Sequence, residues 1–126
     1  MNNKVVITGA VLICLAIIFG AFGAHGLEGK VEAKAIESWK TGSTYQMYCG
    51  FGLLILGLVA EKFNFNLKSF LILNLIGVIL FSGGIYIHTF SAMVPALKPA
   101  VYFVPLGGFS MIFAWATFII LFIRKR

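Results

Sequence analysis

Residues 5–24 form a run of twenty without a charge. As an α-helix such a run is about 30 Å long, the thickness of a bilayer's hydrocarbon core. A helix of that kind needs lipid or a large protein interior around it, and this chain is too short for the second. It has 126 residues, 60% of them hydrophobic and 11% charged, with a mean hydropathy of +1.00. Soluble domains are about half apolar and a quarter charged, and a small chain cannot bury that excess in one aqueous core. Lys4 and Ala21-Phe22-Gly23 flank the run as a signal peptide and its cleavage site would, but the apolar part exceeds a signal sequence's core of about 7–15 residues. The sequence reads as one integral membrane domain.

Further apolar runs at 45–60, 69–90 and 103–123 give an all-α membrane protein, a bundle of four transmembrane helices. Between the first two, Leu27, Val31, Ala35 and Trp39 recur every fourth residue, with Ile36 beside them. Glu28, Lys30, Glu32, Lys34, Glu37 and Lys40 cover the other faces. This pattern predicts an amphipathic helix over about 28–40, lying on the membrane surface with Trp39 among the headgroups, or else a solvated connector. Gly42 is expected to end it, and Ser43-Thr44-Tyr45-Gln46 reads as a capping box opening the second span. The short 61–68 connection implies antiparallel neighbours. Residues 91–102, with Pro95 and Pro99, read as an irregular loop, and Pro105 suits the first turn of the fourth helix.

The net charge is +6, from ten basic and four acidic residues. No basic face interleaved with aromatics is present, so nucleic acid is not an expected partner; membrane lipid is. With four spans, Lys4, Lys62, Lys68, Arg124, Lys125 and Arg126 share one side, and Lys30, Lys34, Lys40 and Lys98 the other. The positive-inside bias then puts both termini of a multi-pass protein of the inner (plasma) membrane in the cytoplasm.

That topology brings polar groups to a common outer level. His25, Tyr45, Gln46, Tyr48, Cys49, Ser82, Tyr86 and His88 form the candidate cluster, with Tyr102 at the same depth. Gly20, Gly23, Gly26, Gly83, Gly84, Pro105, Gly107 and Gly108 are the expected helix-packing positions, with Gly50 and Gly52 also assigned to the outer half. Ala16, Gly20 and Ala24 make a small-residue stripe, which lets backbones approach closely in lipid. His25, His88 and Cys49 offer a donor set for copper or zinc, but no compact ligand spacing accompanies them; no metal or other cofactor is expected, and each histidine reads instead as an interfacial residue bonding a backbone carbonyl freed at a helix end. Cys14 and Cys49 lie inside apolar runs and suggest no disulfide framework. The Gly-Gly pairs lack the lysine and strand–turn–helix context of a phosphate loop. Asn74 reads as an interhelical hydrogen bond or a path marker. Ser82, Ser110 and Cys49 have no intramembrane carboxylate to orient a histidine base, so no catalytic residue is assigned.

Gly20-Ala21-Phe22-Gly23-Ala24-His25-Gly26-Leu27, Tyr45-Gln46, Phe81-Ser82-Gly83 with Tyr86, and Pro105-Leu106-Gly107-Gly108 followed by Trp115 resemble the small bacterial membrane proteins grouped as domain of unknown function 423. The grouping is also catalogued as an uncharacterised UPF family with related eukaryotic transmembrane proteins. The resemblance covers nearly the whole chain and implies a four-helix inner-membrane protein with no established activity. It also implies a departure: many relatives carry His a few residues after the Tyr-Gln pair, where this chain has Cys49. The expected function is a small, non-enzymatic binding or accessory protein whose outer-leaflet glycine-rich surface meets lipid or a partner helix, in a homo-oligomer or with another membrane protein. A small-solute transporter or channel acting as an oligomer, and a metal- or quinone-linked membrane enzyme, are the alternatives.

Overall fold

The computed structural model describes residues 1–125; Arg126, which completes the basic tripeptide, lies outside the described residues. These form four long helices and no strand: α1 Asn3–Ala21, α2 Ala33–Leu58, α3 Lys68–Thr89 and α4 Val104–Lys125. A π-helical turn, Phe22–Gly26, prolongs α1, and a 3-10 helix, Pro95–Phe103, leads into α4. With these extensions three helices are long and apolar enough to cross a membrane: Asn3–Gly26, Lys68–Thr89 and Pro95–Lys125.

Direct bonds set the direction of each neighbour. The Asn2 N–H donates to Gly57 O at 2.8 Å, Gln46 Nε2 to Leu12 O at 3.0 Å and Trp39 Nε1 to Phe19 O at 2.7 Å. Numbers fall along α2 as they rise along α1, so the pair is antiparallel. Tyr45 packs on Phe81 and Trp39 on Phe90, with ring centroids 5.4 and 6.0 Å apart, so α3 is antiparallel to α2. Ser110 Oγ donates to Leu73 O at 2.7 Å, and Gly84 lies against Val104; α4 is antiparallel to α3. Consequently α1 and α3 run parallel and start at the same end. At that near end Asn64 Nδ2 donates to Lys125 O at 2.9 Å, and the Met1 ammonium pairs with Glu61, holding its carboxyl below the usual range. The turn at 27–32 and the stretch at 90–94 make the far end.

The largest departure from the sequence expectation is α2. No separate surface helix over 28–40 precedes it. One helix of 26 residues runs from Ala33 through Gly42 and Ser43 to Leu58. The amphipathic pattern is real, but its apolar face turns to protein: Trp39 is buried, while Lys34, Glu37 and Lys40 stay exposed. Gly42 does not stop the helix because it is buried under Tyr86 and Ile85, where an added Cβ would stand 3.2 Å from the Tyr86 ring. Ser43 and Gln46 therefore form no capping box. The turn before α2 uses Gly29 at φ 75°, a left-handed conformation that disfavours a side chain. Residues 95–103, expected to be irregular, form a nine-residue 3-10 helix around Pro95 and Pro99, unusually long for that geometry.

Starting α2 at Ala33 shifts its register in depth. Gln46 is level with Leu12, and Gly50 with Gly9. Gln46, Cys49, Gly50 and Gly52 thus lie at mid-bundle or below, not at the far end.

Each hairpin closes on a pair of glycines. An added Cβ on Gly9 would stand 2.6 Å from Gly50 O, and one on Gly50 3.0 Å from Gly9 O. Likewise Gly107 would meet Gly77 O at 2.7 Å, and Gly77 would meet Gly107 O at 3.1 Å. Gly84 and Gly23 are filled by Val104 and by the Trp39 ring, and Gly26 by its own neighbour Phe22. Gly20, Gly83 and Gly108 correct the expectation: nothing lies within 4 Å of a Cβ at Gly20, and the other two meet only ordinary contacts. Pro105 stands in the first turn of α4. Val5, Leu12, Leu53, Leu67, Phe70 and Met111 fill the core, whereas Ile7, Ile17, Ile79, Ile112, Phe113 and Ile119 face outward.

Candidate functional site

The expected cluster divides into three parts. In the interior, Gln46 bridges two helix seams. Its Nε2 donates to Leu12 O on α1, and its Oε1 accepts from the Tyr86 hydroxyl on α3 at 2.8 Å. Ser43 Oγ stands 3.2 Å from the same hydroxyl. Ser82 Oγ donates to Gly42 O at 2.7 Å. Trp39 Nε1 caps Phe19 O just before the π turn, and its ring lies 4.5 Å from Tyr86 and 5.5 Å from Phe22 by centroid. The common device is a side-chain donor on the second lone pair of a neighbouring helix's carbonyl. It joins helices without unwinding either one.

The second part faces outward. Tyr45 and Tyr48 are exposed and pack edge to face at 5.6 Å. His25 is exposed on the π turn. Cys49 is buried with its sulfur 3.4 Å from that of Met111, which joins α2 to α4. Among the described residues no three His, Cys, Asp or Glu side chains come together as metal ligands. The possible metal set His25, His88 and Cys49 is therefore not gathered: the first is exposed, the last lies in the core.

The third part is a cleft at the far end. α2 and α4 meet lower down, through Cys49 and Met111 and where the Trp115 ring covers Gly52. Above that level a cleft of about 860 Å³ opens between α2, α3 and the 3-10 helix. Lys30, Glu32 and Lys34 form one rim, and Ser38 and Thr41 continue down α2. Ile85, Val101 and Val104 make an apolar wall. His88 is among the residues lining it, and its Nδ1 is buried without a hydrogen-bond partner among the described residues.

Of the expected site residues, His88 alone lines this cleft. Lys30, Lys34, Ser38 and Thr41 were not singled out, because the surface-helix reading put their segment beside the bundle. Asn74 corrects another expectation. Its Nδ2 donates to Phe70 O within its own helix at 2.9 Å, and Oδ1 is buried without a partner. The residue is fully buried, so it marks no open path. Ser110, considered as a nucleophile, is spent on Leu73 O.

A family model described as a protein of unknown function (DUF423) matches residues 19–108. A UPF0382 membrane protein of Staphylococcus epidermidis is 36% identical over 115 residues, 91% of each chain. One from Staphylococcus saprophyticus is 36% identical over 91% of this chain and 92% of its own. The UPF0382 membrane protein YwdK of Bacillus subtilis is 36% identical over 117 residues, with the same coverage. No solved structure matches.

Proposed function

Because the chain belongs to the DUF423 family of membrane proteins of unknown function, we propose that it is a small non-enzymatic binding protein of the cell membrane. In this reading it crosses the bilayer four times, with both termini in the cytoplasm, and holds its ligand in the far-end cleft. Parity supports the fourth crossing. α1 and α3 are apolar enough to span and run parallel, so the chain must return between them, and α2 is the only helix available. The charge bias supports the orientation, with Lys4, Lys62, Lys68, Arg124 and Lys125 at the near end.

The cleft carries the functional reading. Gln46, Ser82, Tyr86 and Ser110 are bonded to helix carbonyls or to one another, whereas Lys30 and Lys34 line an opening of about 860 Å³ with no ion pair to either among the described residues. Ligand sites commonly occupy about 300–1,000 Å³. A glycine-lined docking surface for lipid or a partner helix would rest on Gly20, Gly83 and Gly108, because Gly9, Gly50, Gly77 and Gly107 are filled by the chain's own helices.

Extraction in a mild detergent followed by native mass spectrometry tests the reading. The expected result is a protein that retains, or takes up when offered, about one lipid or other small molecule per chain, and loses it when Val104→Trp fills the cleft. A protein that binds nothing when lipids are supplied would refute it.

A further inference from the structure

Resting on that reading, we propose that the cleft selects a phosphate-bearing amphiphile, with the phosphate held at the Lys30–Lys34 rim and the hydrocarbon chain lying against Ile85, Val101 and Val104. The two surfaces of the cleft differ in kind, and the ligand must match both.

The rim is cationic. Lys30, in the turn before α2, and Lys34, in the first turn of α2, both line the opening, and Glu32 is the one acidic residue among those lining it. Two ammonium groups against one carboxylate leave a net positive rim. Lysine is a point charge with three rotatable donors, suited to a phosphate that presents oxygens in several directions. Ser38 and Thr41 add hydroxyls below the rim. Thr41 Oγ1 already donates to Glu37 O at 3.2 Å, so Ser38 is the hydroxyl left to donate to a phosphate oxygen. His88 also lines the opening, although its Nδ1 is enclosed by protein and out of a ligand's reach.

The wall made by α3 and the 3-10 helix is mainly apolar: Thr89 and Ser91 line that side too, with Thr89 Oγ1 already donating to Ile85 O at 2.9 Å. Ile85, Val101 and Val104 offer only hydrocarbon, and a free inorganic anion would leave them facing water. An amphiphile satisfies both walls at once. Entry can be lateral: α2 and α4 touch through Cys49–Met111 and Gly52–Trp115, while the cleft opens above those contacts.

Native mass spectrometry of the purified protein with chain-matched lipids tests this. Phosphatidylglycerol should be retained about tenfold better than diacylglycerol, which lacks the phosphate. Lys30→Gln with Lys34→Gln should reduce phosphatidylglycerol to the diacylglycerol level while diacylglycerol is unchanged. Both lysines lie at the solvent-facing rim, and an unchanged helical circular dichroism spectrum would establish that the double variant is folded. Millimolar inorganic phosphate should not displace the lipid; displacement would overturn the two-wall argument in favour of a free phosphate as the ligand. Equal retention of both lipids, unaffected by the lysine changes, would overturn the phosphate preference and leave the binding reading standing. No retention of either lipid, by a protein that also binds nothing else, would remove both.

Discussion

Gln46 is a residue whose surroundings explain its chemistry completely. A primary amide in a membrane interior must satisfy a donor and an acceptor, and here each goes to a different helix. Replacing it with Leu preserves volume but leaves the Tyr86 hydroxyl with only the longer contact to Ser43. Interhelical bonds of this kind contribute about 0.6 kcal/mol on average and up to about 1.7. Gln46→Leu is therefore expected to destabilise the bundle by about 1–2 kcal/mol, measured by reversible unfolding in mixed micelles. Tyr86→Phe removes the other half of one bond, so the double variant should lose less than the two single losses added together. Full additivity would mean that the two groups do not share a bond in lipid. Trp39 makes a sharper case. Trp39→Phe keeps most of the ring contacts with Phe22 and Tyr86 but deletes the donor to Phe19 O, so a loss of about 0.5–1.5 kcal/mol is expected. A headgroup-level tryptophan would lose nothing, and would change its fluorescence with surface quenchers. The buried one should be shielded from them.

Among the elements, α2 was the hardest to read and for a physical reason. Its first half carries Lys34, Glu37 and Lys40, and Gln46 follows at its midpoint, which lowers its hydropathy below that of the other three helices. A search for apolar runs therefore truncates it to 45–60. The polar residues are tolerated because they sit on an exposed face or bond to neighbouring carbonyls, facts of packing that no window average contains. α1, α3 and α4 were legible because apolar runs of that length admit few other structures. The packing glycines were half legible. Steps of four residues, as in Ala16, Gly20 and Ala24, drift about 40° round a helix, whereas steps of seven, as in Gly9, Ala16 and Gly23, drift about 20° and stay on one face. Gly9 and Gly23 are filled and Ala16 is buried, while Gly20 is open. Of the candidate site, His88 was visible as an interfacial histidine, but its cleft was not, since its rim depends on where α2 begins. The glycines give a paired test. Gly107→Ala puts a methyl against the Gly77 carbonyl and the Phe81 backbone, and should cost about 1–3 kcal/mol by overpacking. Gly20→Ala meets nothing, and should be neutral or stabilising by about 0.5–1 kcal/mol through helix propensity. Equal effects at the two positions would contradict the assigned seams.

At the scale of the whole molecule, the claim that joins fold to function is that α2 is a full crossing. If it lay on the surface, α1 and α3 could not both span in the same direction, and the cleft between α2 and α3 would face no defined leaflet. Impermeant maleimide on intact cells decides the matter in a background where Cys14 and Cys49 are replaced by Ala. Lys30→Cys, in the turn between α1 and α2, should label from outside. Lys62→Cys, in the connection between α2 and α3, should label only after the membrane is opened, and Lys98→Cys, ahead of α4, should behave like Lys30→Cys. Labelling of positions 30 and 62 from the same side would mean that α2 does not cross. Reversed labelling of all three would keep the four crossings but turn the cleft to the cytoplasmic leaflet, where anionic lipid is also within reach of Lys30 and Lys34. Alternating access at 30, 62 and 98 is thus the pattern that four antiparallel helices require. The side on which it starts determines which leaflet supplies the ligand.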